Sequence, residues 1–121
     1  MADHTMIDLS YLISICDDDK TFKIEMIETF LNDIPPIVQA MNDSLSVRNW
    51  VEIGSLAHKI KPSFTFMGIE AAKHIIIDIE RNGKETTNLD TIPVSINELN
   101  RIMGIAIQEL SSELDAIREN N

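Results

Sequence analysis

Cysteine occurs once in this chain, at Cys16, and aromatic residues fill six of its 121 positions. A lone cysteine cannot close an internal disulfide, and there is no cysteine cluster to hold zinc. Glycine and proline number four each, and the two-residue alternation of a half-buried strand is hard to find. No apolar run approaches the ~20 residues that span a bilayer. The segment from Met1 to Ser10 has acids and no basic stretch, unlike a signal peptide. Bases are scarce too, ten against twenty acids, for a formal charge of −10. Nucleic acid and anionic membrane both favour basic surfaces, so both are poor partners for this chain. These absences suit an acidic protein whose partners are other proteins, with the cytoplasm as the expected compartment.

Apolar residues make up 44% of the sequence, and their spacing is helical. Residues 1–121 read as one domain, with no internal repeat and no low-complexity stretch. A short helix over about residues 6–16 carries Ile7, Leu9, Leu12 and Ile13, and the run Asp17-Asp18-Asp19 follows it. These aspartates are suited to cap a second helix, about 19–46. That helix has a stripe through Phe22, Ile27, Phe30, Ile34, Ile37, Met41 and Leu45. Pro35 and Pro36 fall inside the stripe, which resumes on both sides, so a kink and not a break is expected.

Asn49-Trp50-Val51-Glu52 reads as a capping box opening a third helix, about 50–67. Trp50, Ile53, Ala57, Ile60, Phe64 and Met67 line its core face, and Gly68 is the expected left-handed stop. A fourth helix, about 69–82, carries Ala72, Ile76 and Ile79 and is expected to end at Asn82-Gly83. The polar stretch from Lys84 to Pro93 reads as a long loop. Ser95-Ile96-Asn97-Glu98 reads as a second capping box, opening a last helix over about 95–118. Short connections between long amphipathic helices imply an all-α fold: an antiparallel up-down four-helix bundle with a short additional N-terminal helix. Phe66, Ile69 and Ile77 are the candidates for exposed apolar surface.

One helix face is unusual. His58 lies about 100° round from the core residue Ala57. Its neighbours on that face are Gly54, Ser55, Lys61, Pro62 and Thr65, all small or compact except the lysine. A face meant only for solvent favours long charged residues of high helix propensity. Imidazole is a competent nucleophile at neutral pH, its unperturbed pKa lying near 6.5. A phosphoryl group would add about two negative charges, and a lysine at i+3 is placed to offset them. Other candidates are weaker. His74 lies off the core stripe, and His4 falls in a terminus expected to be disordered. No histidine pair shares a metal-binding spacing, and Cys16 reads as a small buried hydrophobe.

The segment from Ala57 to Gly68, AHKIKPSFTFMG, resembles the signature of histidine-phosphotransfer (HPt) domains, with His58, Ile60, Lys61, Ser63, Met67 and Gly68 in register. That family also tends to place an acidic or amide residue, and a base four positions later, near the end of the next helix. Glu80 and Lys84 occupy those places. The resemblance implies a phosphorelay carrier. His58 would accept a phosphoryl group on Nε2 from an aspartyl phosphate of a receiver domain, with Lys61 as electrostatic support, and pass it to a second receiver. It further implies that a hybrid sensor kinase and a response regulator supply those receivers. Magnesium would belong to the receiver, so this chain needs no cofactor of its own. Gly54, Ser55, Pro62, Thr65, Glu80 and Lys84 become the expected partner-binding residues, with docking across the second and third helices. There is no nucleotide-binding glycine loop, so the carrier is expected to lack kinase activity; a monomer is expected because the apolar stripes can be satisfied within one bundle.

One position departs from the pattern. Pro62 stands where the family usually has glycine, and it cannot donate a hydrogen bond to the His58 carbonyl, a cost of about 3 kcal/mol in a regular helix. Pro62 keeps alive an alternative reading: a phosphate-independent helical adaptor or inhibitor that binds receivers or a histidine kinase.

Overall fold

The computed structural model describes residues 6–119. Its helices are α1 (Ser10–Cys16), α2 (Lys20–Ser46), α3 (Trp50–Phe66), α4 (Glu70–Glu85) and α5 (Ile92–Glu119), with a 3₁₀ turn at Leu89–Thr91 before α5. Around the bundle α2 neighbours α3, α3 neighbours α4, α4 neighbours α5 and α5 returns to α2, while α1 packs on α2. The all-α bundle with its extra N-terminal helix is therefore as expected. The core is built from aliphatic stripes on every helix, with Ile27, Met41, Ile53, Ile60, Ile76, Ile79 and Leu99 among its most enclosed members. Cys16 is buried as a small apolar group.

Local chemistry explains most of the helix ends. The Asp19 carboxylate accepts from the Phe22 amide at 3.0 Å and caps α2. Asn49 caps α3 by accepting from the Glu52 amide at 3.3 Å. The reciprocal half of that capping box is replaced, because the Asn49 amide donates to the Ser44 carbonyl. At the other end of α3, Gly68 takes φ +63°. Its amide donates to Thr65, and the Ile69 amide donates to Phe64, which completes a Schellman motif. Both α2 and α3 run through their prolines unbroken.

Four expectations are corrected. First, α1 starts at Ser10, not near residue 6, since Met6 and Ile7 donate to the Glu109 carboxylate and Asp8 to the Met67 carbonyl. Second, α4 continues past Asn82-Gly83 to Glu85, and both residues are buried within it. Asn82 instead anchors the following turn through Thr87 and Asn88. Third, α5 opens at Ile92, so the stretch expected as a long loop shrinks to a short turn and Ser95 lies inside the helix. Pro93 in the first turn loses no intrahelical bond, and Glu98 pairs with Arg101 and not with a cap. Fourth, Phe22 and Ile13 are exposed, whereas Ile69 is buried as part of the turn that closes α3. Phe66 and Ile77 are half-buried.

Candidate functional site

His58 projects from the middle of α3 with 63% of its side chain exposed. Its ring is nevertheless held. Nδ1 lies 2.6 Å from Oε2 of Glu80 on α4, a carboxylate only 14% exposed. Glu80 also accepts from Lys61 Nζ at 2.7 Å on Oε1 and from Lys84 Nζ at 3.2 Å on Oε2. One carboxylate thus gathers an imidazole and two ammonium groups from two helices.

The charge state of Glu80 follows from this company. The Lys61 hydrogen bond is the largest influence, and with His58 and Lys84 it outweighs partial burial, drawing the carboxyl down from 4.5 to about 2. Near neutral pH Glu80 is therefore an anion that can only accept hydrogen bonds. The short contact to Nδ1 then requires the proton to sit on Nδ1. The neutral ring in that tautomer has its lone pair on Nε2, the nitrogen not engaged by Glu80. The site fixes which ring nitrogen keeps a free lone pair.

The predicted site residues are only partly gathered on one open face. Ser55, Pro62, Thr65 and Lys84 are exposed. Gly54 is buried beneath α4, where an added methyl carbon would lie 2.8 Å from the Lys84 amide nitrogen. It forms no part of a docking face and lets the two helices approach. Glu80 likewise turns inward to the imidazole, which it holds through Nδ1. Neither role was legible from α3 alone, because both depend on where α4 crosses it. Gly83 reads in the sequence as a helix stop and not as a packing residue, although its spacing from Ile76 and Ile79 continues the core stripe. His74 is exposed, as expected, and His4 lies outside the described residues. Among the described residues no group of His, Cys, Asp and Glu is arranged to hold a metal ion.

On this four-helix bundle a helix-borne histidine is held by a carboxylate and flanked by two lysines. The chain belongs to the Hpt domain family, whose profile matches residues 25–120. No curated protein sequence matches it. In fold it is similar to the crystal structure of histidine-containing phosphotransfer protein B (HptB) from Pseudomonas aeruginosa PAO1, with a TM-score of 0.84 at 17% identity. That likeness covers 94% of this chain and 98% of the other. Among the described residues no helix is long and apolar enough to cross a membrane.

Proposed function

We propose that His58 is the residue that carries the phosphoryl group, on Nε2. The observation that supports this most directly is the 2.6 Å contact of Nδ1 with Glu80. The Nε2 lone pair attacks the phosphorus of an aspartyl phosphate on a receiver domain. The P–N bond forms as the acyl P–O bond breaks, and the receiver's carboxylate leaves as the anion. The proton on Nδ1 stays where it is, so the ring becomes a phosphoimidazolium, and Glu80 stabilises that positive charge. Lys61 and Lys84 offset the charge arriving on the phosphoryl oxygens. Onward transfer reverses the step at a second receiver, because the protonated ring leaves as neutral imidazole.

Receivers of a hybrid sensor kinase and of a response regulator would then be donor and acceptor, each bringing its own magnesium, with this chain a cytoplasmic monomer. Their docking is proposed across α2 and α3. Half-buried Phe66 lies against the exposed Tyr11 ring, with centroids 5.5 Å apart and ring planes tilted by 43°. It also shares a crevice with Met26, Thr29, Asp33 and Ser63 between the two helices. Pro62 is compatible with this reading: it leaves α3 unbroken and offers an approaching partner little bulk. A phosphate-independent adaptor would have no use for the carboxylate on His58. The test is transfer of label from a phosphorylated receiver. Acid-labile, alkali-stable label on the wild type and none on His58→Gln is expected. Receiver binding without label from a broad panel of donors would favour the adaptor.

A further inference from the structure

Gly54 on α3 and Gly83 on α4 meet where the two helices cross, and the fit is reciprocal. A methyl carbon on Gly83 would lie 2.7 Å from the Trp50 carbonyl oxygen, 2.8 Å from the Gly54 nitrogen and 2.9 Å from the Gly54 Cα. One on Gly54 would lie 2.8 Å from the Lys84 nitrogen and 3.0 Å from the Glu80 carbonyl oxygen. All of these neighbours are backbone atoms, so no side-chain rotation can relieve the overlap. The helices would have to separate.

The crossing lies next to the site. Gly54 precedes His58 by one helical turn, and Gly83 follows Glu80 by just under one, so about 5 Å of helix separates the crossing from the imidazole–carboxylate contact. We propose that Gly54 and Gly83 are positioning residues for phosphoryl transfer. Their missing side chains set the α3–α4 spacing at which the Glu80 carboxylate reaches Nδ1 of His58. Restoring ordinary van der Waals contact at Gly83 requires the backbones to part by about 0.7 Å. A 2.6 Å hydrogen bond stretched by that amount passes the useful limit of about 3.2 Å. Lys61 and Lys84 also bond Glu80, which restrains its side chain from following the ring. The ring would then be free to take either tautomer and to turn. This inference rests on His58 being the acceptor, but the tautomer it concerns is measurable without any transfer.

The experiment compares Gly83→Ala with Gly104→Ala. Gly104 is also helical, and nothing lies within 4 Å of the methyl carbon it would gain. Long-range ¹H–¹⁵N spectra report which ring nitrogen of His58 is protonated. Wild type and Gly104→Ala should show a single Nδ1–H tautomer, and folded Gly83→Ala a mixture. Transfer from a phosphorylated receiver at saturating donor should fall about tenfold or more in Gly83→Ala, the scale expected for a misplacement below 1 Å. Half-saturation by the donor should be unchanged. Should Gly83→Ala fail to fold, Gly54→Ala serves, its closest approach being 2.8 Å. A folded variant with the wild-type tautomer and wild-type transfer overturns the proposal. A mixed tautomer with no transfer to the wild type either would sustain the positioning role and count against the carrier reading alone.

Discussion

Acidifying the protein should remove the contribution of Glu80 over a defined range. Its carboxyl titrates at about 2 in the folded chain against an ordinary 4.5. Between these values the unfolded chain holds a proton that the folded chain does not, so stability must fall as pH falls. The contribution is complete above the unfolded value and lost as the pH drops through about 2. Taken at face value, a depression of that size corresponds to about 3 kcal/mol. The Lys61, Lys84 and His58 side chains are between 38% and 63% exposed, so solvent screening reduces it to about 1–1.5 kcal/mol. Glu80→Gln keeps the shape and removes the titration. Urea unfolding followed by circular dichroism should show wild type ahead of Glu80→Gln by about 1–1.5 kcal/mol near pH 5, with the gap closing towards pH 2. A gap that stays constant over that range, or a variant as stable as wild type at pH 5, would refute the electrostatic account of the site.

Gly104→Ala should stabilise the chain by about 0.5–1 kcal/mol, since it adds helix propensity where there is room; a raised midpoint in thermal unfolding checks it. Gly68→Ala should destabilise by at least about 2 kcal/mol, because φ is +63° and the methyl carbon would fall 2.0 Å from the Asp8 carbonyl oxygen. Equilibrium unfolding in urea decides that, and an unchanged midpoint would contradict the close packing of Asp8 on the α3–α4 turn. Pro62→Ala should raise stability by about 1–3 kcal/mol by restoring a donor to the His58 carbonyl and removing the ring's crowding of it. No gain in a denaturant titration would mean that α3 already accommodates the proline without strain.

The parts of this fold that were legible in the sequence are those fixed locally. Gly68 and Asn49 act within one turn of their own positions, and both ends of α3 fell close to where residue chemistry placed them. His58 and Lys61 stand out in the sequence because they share one helix face. The misreadings arose where a local signal competed with packing. Asn82-Gly83 looks like a helix stop, yet the glycine is spent on the crossing with α3, and the helix runs on to Glu85. Ser95 looks like a cap, but the stripe from Ile96 extends back to Ile92, which is fully buried, and burial decides where α5 begins. Glu80 was placed correctly along the chain and assigned to partner binding. Its hold on Nδ1 depends on the α3–α4 spacing, which no pattern within a single helix encodes.

Whether Nε2 of His58 carries the phosphoryl group is read most directly by ¹⁵N spectroscopy of the histidine rings after reaction with a phosphorylated receiver. Phosphorus coupling at Nε2 of His58, with the proton retained on Nδ1, is the expected result. Phosphorus on Nδ1, on His74, or on no histidine at all would contradict it.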